Sequence, residues 1–231
     1  MLRLYVALLD VQEPAGGAAR DDRPAPSEAA DYIAEHVWPA VVAATIAAGP
    51  PALAAAVRRP VASPAEAVAA WLAGESQPAV PEYLARAASA PVLETLGAAA
   101  LVPPPSPRRG ACPRCGGPPQ LSYLAASGET LLTTPRRLLC ARCGGSWIHE
   151  WLGCPACGEH ASAKRPRFAD DERLPALSVD ACESCRRYLI AVDGRRDEAA
   201  VPVVDELVAL PLDLDARERG FTKIAPNLMG I

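Results

Sequence analysis

The spacing of apolar and polar positions changes near residue 105, and the change predicts two kinds of structure. Upstream the rhythm is helical. Ser63-Pro64-Ala65-Glu66 offers an N-cap, a proline at the first helical position and a capping-box acid, with Val68, Trp71 and Leu72 following on one face. Ser27 is placed to cap a helix carrying Ile33, Val37, Val41 and Val42, kinked at Pro39. Pro81 to Ala88 and Pro91 to Leu101 read as two further short helices, and Glu13 to Pro26, rich in Gly, Ala, Asp and Pro, as a mobile loop. Downstream the apolar runs are short. Leu121 to Ala125, Leu138-Leu139, Ala176 to Val179 and Tyr188 to Val192 predict strands. The last segment returns to helix, amphipathic from Val201 to Leu210 and again around Leu212 to Arg219, where Gly220 stops it.

Composition sharpens the first half. Of 47 alanines in 231 residues, 31 fall in the first 100. Alanine favours helix but buries little area, so this region should be helical with a thin core. Pro103-Pro104-Pro105-Ser106-Pro107 predicts a stiff, extended spacer after it. The apolar run Leu4 to Leu9 ends at Asp10 without the form of an export signal, and Ala40 to Val57 is interrupted by Gly49-Pro50-Pro51. The expectation is a cytoplasmic chain with no membrane insertion. Cytoplasmic thiols stay reduced, so the eight cysteines are expected to bind metal rather than form disulfides.

Those cysteines form a repeat. They stand at 112, 115, 140, 143, 154, 157, 182 and 185, and each of the first four recurs 42 positions later. A Cys-x-x-Cys turn points two sulfurs at one centre, and a following glycine aims backbone N–H groups at them. Two such knuckles joined by a hairpin make a closed four-sulfur site suited to zinc or a single iron. A module of 32 residues, such as 112 to 143, rarely folds on its own core. A structural zinc ion contributes about 10 kcal/mol, enough to order it. The repeat favours sequential pairing, Cys112, Cys115, Cys140 and Cys143 for one ion and Cys154, Cys157, Cys182 and Cys185 for the other; a cross-braced arrangement is the alternative. A thioredoxin-type dithiol would suit one Cys-x-x-Cys but not four in register. His149 and His160 are expected at the surface, His36 as a packed helix residue, and Trp147, Trp151, Phe168 and Tyr188 as cover over the knuckles.

Charge divides the chain in the same places. Net charge is −5 over 1–104, +3 over 105–198 and −2 over 199–231. Arg108-Arg109, Arg136-Arg137, Arg186-Arg187 and Arg195-Arg196 raise a nucleic-acid-binding alternative, but acidic flanks oppose phosphate contact and arginines can balance anionic metal–thiolate centres. There is no phosphate loop, nucleophile elbow or dinucleotide fingerprint, so no catalytic residue is assigned and the chain is not expected to be an enzyme.

The run Cys112-Pro113-Arg114-Cys115-Gly116-Gly117-Pro118, then Leu138-Leu139-Cys140-Ala141-Arg142-Cys143 with Trp147, resembles the formate dehydrogenase accessory protein family. So do Cys154-Pro155-Ala156-Cys157-Gly158, Cys182-Glu183-Ser184-Cys185-Arg186-Arg187-Tyr188-Leu189 and the tail from Asp205-Glu206-Leu207 to Gly220-Phe221. The resemblance covers roughly 107–231. It implies tandem rubredoxin-like modules, iron as well as zinc as a candidate metal, and a cytoplasmic partner: the catalytic subunit of a molybdenum or tungsten formate dehydrogenase.

The expected fold class is α+β. An alanine-rich helical domain (1–106) precedes two tandem rubredoxin-like or zinc-ribbon four-cysteine modules (107–151 and 152–198) and a C-terminal helical tail (199–231). The expected function is maturation of a respiratory formate dehydrogenase, with structural or redox-sensing metal sites. A nucleic-acid-binding ribbon protein and a rubredoxin-like electron carrier are the alternatives.

Overall fold

The computed structural model describes residues 2–97, 110–125, 134–197 and 199–228. The expected spacer at 103–107, Arg108-Arg109 and the end of the helix expected to reach Leu101 lie outside them. The chain divides into two compact units, one of Met1–Ser106 with Arg142–Gly144, the other of Pro107–Ala141 with Gly145–Ile231.

The first unit contains α1 (Leu2–Asp22), α2 (Ala29–His36), α3 (Trp38–Ala48), α4 (Pro51–Val57), α5 (Pro64–Ala73) and α6 (Ala79–Leu96). Helix α1 packs on α3 and α6, and α5 on α2 and α6. Leu4, Leu8, Ile33, Val41, Leu84 and Leu93 are buried among alanines at 19, 29, 85, 87 and 88. Ser63 caps α5 as its sequence predicts, accepting from the Glu66 amide at 3.3 Å.

Three helical expectations are corrected. Glu13 to Asp22 is not loop but the second half of α1, which contains Pro14. Gly16 is buried there against Pro91 and Thr95, where a Cβ would crowd the Thr95 hydroxyl at 3.3 Å. The expected pair of helices around Pro91 is one helix, α6. Proline at 91 cannot donate to the Ala87 carbonyl, and the Gln12 side chain does so instead at 2.8 Å. The helix expected to kink at Pro39 is two helices meeting at Val37. Ser27 does not cap the first, whose N-cap is Glu28, and Pro39 takes the first turn of the second.

The second unit is built on one sheet. Its strands are β1 (Pro119–Leu124), β2 (Arg136–Cys140), β3 (Ser146–Ile148), β4 (Arg167–Ala169), β5 (Leu177–Cys182), β6 (Arg187–Asp193) and β7 (Thr222–Lys223), with helices α7 (Pro202–Val208) and α8 (Leu210–Glu218) before β7. The order is β3-β2-β1-β6-β5-β4, with β7 added beside β6. Neighbours within each repeat are antiparallel, whereas β1 and β6 pair in parallel from Leu121 with Ile190 to Leu124 with Asp193. The two repeats therefore share a continuous sheet rather than standing as self-contained modules.

Alternation along β5 and β6 sends Leu177, Val179, Ala181, Tyr188, Ile190 and Val192 into a core closed by Ala209, Leu212, Ala216 and Phe221 from the tail. Phe168 and Tyr188 belong to this core, not to a cover over the knuckles. Trp151 is 47% exposed.

A buried charge network fastens the tail. Lys223 Nζ lies 2.8 Å from Glu206 Oε1 and 3.0 Å from Asp213 Oδ2, and all three side chains are at most 1% exposed. Gln120 of β1 donates to Glu206, and the Tyr188 hydroxyl donates to Asp213 Oδ1 at 2.9 Å. Burial raises the pKa of Glu206, opposed by Lys223. Removing the shared cation strands two buried carboxylates. Lys223→Met is expected to cost about 3–5 kcal/mol in guanidinium unfolding, and adding Glu206→Gln and Asp213→Asn should recover part of it. An unchanged unfolding midpoint for Lys223→Met contradicts this role.

Candidate metal centres

The first knuckle of each repeat is a backbone turn closed on itself. The Cys112 amide donates to the Gly117 carbonyl and the Gly116 amide to the Cys112 carbonyl, at 2.9 and 2.8 Å. The same pair recurs at Cys154 with Glu159 and Gly158, again at 2.9 and 2.8 Å. Gly116, Gly144 and Gly158 follow the second cysteine of three knuckles with φ of 67°, 62° and 77°, values glycine adopts without strain. In the fourth knuckle Arg186 takes that place at φ 55°. Its guanidinium is secured by Glu183, by the Arg219 carbonyl and over the Phe221 ring at 3.9 Å, contacts that offset the backbone cost.

These turns bring the eight sulfurs into two quartets. Cys112, Cys115, Cys140 and Cys143 form one, and Cys154, Cys157, Cys182 and Cys185 the other, each with all sulfurs within 4.8 Å of one another. This is the sequential grouping, not the cross-braced one. Cys140 and Cys182 are the last residues of β2 and β5, so each hairpin delivers its second knuckle to the first. Cys115 and Cys140 sulfurs lie 3.4 Å apart, Cys157 and Cys182 3.7 Å, and Cys154 and Cys185 3.8 Å. Four sulfurs placed tetrahedrally at about 2.3 Å from zinc stand roughly 3.8 Å apart, so the spacing fits one ion per quartet. None of the eight is in a disulfide.

The quartets differ in exposure. All four cysteines of the first are buried. In the second, Cys154 and Cys182 are buried, Cys185 is half-buried and Cys157 is exposed. Burial pushes the Cys154 thiol up, but the amides of Cys157 and Ala156 and the neighbouring sulfurs outweigh it and leave the thiol below its ordinary value. Cys157 and Cys185 are raised, by loss of hydration and by the sulfurs of Cys154 and Cys182, although the amides of Glu159 and Arg187 oppose the shift. A cation placed among the sulfurs removes that conflict.

The repeats also touch closely in backbone. A Cβ on Gly110, just before the first knuckle, would fall 1.8 Å from the Pro155 carbonyl oxygen in the third. Of the histidines, His160 is exposed as expected. His149 is half-buried, its pKa lowered by burial and by Arg136, and His36 is exposed against the Tyr32 ring rather than packed. The described members of the arginine pairs are engaged within the protein. Arg136 bonds Asp180 and the Gly153 carbonyl, Arg137 bonds Ser146, Arg187 the Ile224 carbonyl, Arg195 Asp193, and Arg196 Asp171. Sequence reasoning missed the Lys223 network, because nothing local distinguishes that lysine from a solvated one.

The class defined by this fold and these sites is an α+β protein in which a helical unit precedes a sheet carrying two four-cysteine clusters. Residues 152–229 match the family model described as FdhE, C-terminal domain. Over 119 residues the chain is 31% identical to a protein FdhE homolog of Aquifex aeolicus, covering 52% of this chain and 41% of that protein. Over 79 residues it is 33% identical to a protein FdhE homolog of Pseudomonas putida, covering 33% and 25%. The matched stretch thus spans less than half the length of either curated relative. The crystal structure of the FdhE protein from Pseudomonas aeruginosa shares the fold, with a TM-score of 0.62 over 98% of this chain and 94% of that one at 23% identity. Residues 152–229 are thus similar to the FdhE C-terminal domain, and the chain shares the fold of an FdhE protein. Among the described residues no helix is long and apolar enough to cross a membrane.

Exposure predicts unequal reactivity. Limiting iodoacetamide on the metal-loaded chain should label Cys157 before any cysteine of the first quartet, as read by peptide mass mapping. Equal labelling of the two quartets contradicts the asymmetry.

Proposed function

We propose that this chain is an accessory protein needed for an active respiratory formate dehydrogenase, that it acts in the cytoplasm, and that it binds the catalytic subunit without itself being an enzyme. The observation that carries this reading is the family match over 152–229, which includes the second cysteine quartet, both tail helices and the buried Lys223. In this reading segment 1–106 is a helical domain, 107–151 and 152–198 are the two ribbons, and 199–231 is the tail that braces them.

Cys112, Cys115, Cys140 and Cys143 would hold one ion, zinc or iron, and Cys154, Cys157, Cys182 and Cys185 a second. Bound there, an ion supplies a rigid four-sulfur crosslink, and iron adds a one-electron couple. The chain's own residues orient the sulfurs through knuckle amides and hold the two quartets in one sheet. Internal engagement of the described arginine pairs supports this reading over nucleic-acid binding. Tagged protein expressed in its native host should co-purify with a formate dehydrogenase catalytic subunit, and deleting its gene should abolish formate-dependent dye reduction. Normal dye reduction in the deletion strain contradicts the proposal.

A further inference from the structure

The second unit contains a cleft of about 210 Å³ whose lining includes none of the eight cysteines. Its charged wall has three guanidinium groups, from Arg136, Arg165 and Arg167, against two carboxylates, from Asp180 and Asp193. Both carboxylates already have partners. Asp180 bonds Arg136 at 3.0 Å, and Asp193 is held by Arg195, with bonds of 2.8 and 2.7 Å to its two oxygens. Arg195 chiefly, with a smaller contribution from the charge of Arg167, holds the pKa of Asp193 below the usual carboxylate range.

The remaining arginines are fixed but not used up. Arg165 gives Nε to the Ala181 carbonyl at 3.1 Å and Nη1 to the Leu152 carbonyl at 3.0 Å. Arg167, on the edge strand β4, gives Nε to Ser178 Oγ at 2.8 Å. Among the described residues, Nη2 of Arg165 and both Nη atoms of Arg167 are not engaged in these bonds, so the forks are pre-oriented with donors to spare. On the same rim stand Trp151, 47% exposed, and Leu152, 60% exposed. A large aromatic and a leucine beside positioned guanidinium groups combine apolar contact with anion recognition.

We propose that this cleft is a docking site for a peptide with an acidic anchor. One aspartate or glutamate carboxylate enters to meet Arg165 and Arg167, and an adjacent apolar side chain lies on Trp151 and Leu152. Size selects a side chain over a larger ligand, because pockets enclosing drug-sized molecules run from about 300 to 1,000 Å³. Charge selects a single carboxylate over a phosphate chain. With Asp180 paired to Arg136 and Asp193 to Arg195, Arg165 and Arg167 are left to meet an anion. They offer a fork on each side of one carboxylate and too little charge for a phosphate chain. The proposal stands on the cleft alone and does not depend on which client the chain serves.

Calorimetric titration of the full metal-loaded chain tests it with two blocked pentapeptides, one carrying glutamate between two leucines and the other glutamine in its place. A charge-assisted bond is worth about 1.5–3 kcal/mol, so the glutamate peptide should bind about tenfold or more tightly than its twin. Arg167→Gln should remove that preference, and Trp151→Ala should weaken both peptides, with far-ultraviolet circular dichroism unchanged in each variant. A single-stranded oligonucleotide should not displace the glutamate peptide. Equal binding of the two peptides, absence of binding, an unaltered preference in Arg167→Gln or displacement by the oligonucleotide each overturns the proposal.

Discussion

Four sulfurs crowded within 4.8 Å form the constraint around which each cysteine repeat is arranged. Two unit charges 4 Å apart repel by about 4 kcal/mol at an effective dielectric near 20, so the quartets cannot all ionise without a cation. Paired with one, the same crowding becomes a crosslink. Its reach is seen in the strands: β2 and β5 both end on a quartet cysteine, and the first knuckle of each repeat is closed by its own amides. The left-handed residues after each Cys-x-x-Cys follow from this geometry, as does the anchoring of Arg186 where glycine is missing.

The parallel pairing of β1 with β6 turns two repeats into one body. The close approach of Gly110 to Pro155 and the bond from Arg136 to Asp180 reinforce that junction, and the Lys223 network ties β1, β6 and the tail together. The tail is consequently a part of the sheet unit, supplying both a strand and four of the ten buried residues of its apolar core. The cleft lies beside this junction, lined by Leu124 of β1 and Ala191 to Asp193 of β6 as well as by Arg136 and Asp180.

What the sequence made legible is what local chemistry determines. A 42-residue register among cysteines predicts both quartets, Ser63 predicts its own cap, and Gly220, at φ 79°, predicts the end of α8. What escaped depends on partners far along the chain. Pro14 and Gly16 look like loop residues until α6 packs on them, and Pro91 looks like a helix end until Gln12 reaches the carbonyl it leaves free. The parallel β1–β6 ladder has no local signature, and a two-residue strand such as β7 has no period to detect. The cleft was hidden for the same reason: its arginines come from β2 and from the distant 165–167 stretch, and only folding sets Trp151 beside them.

Metal content and X-ray absorption on protein purified from its native host test the central claim most directly. The account predicts two ions per chain, each surrounded by four sulfur scatterers at about 2.3 Å. Nitrogen or oxygen ligands at either ion, or cystines in place of one quartet, would contradict it.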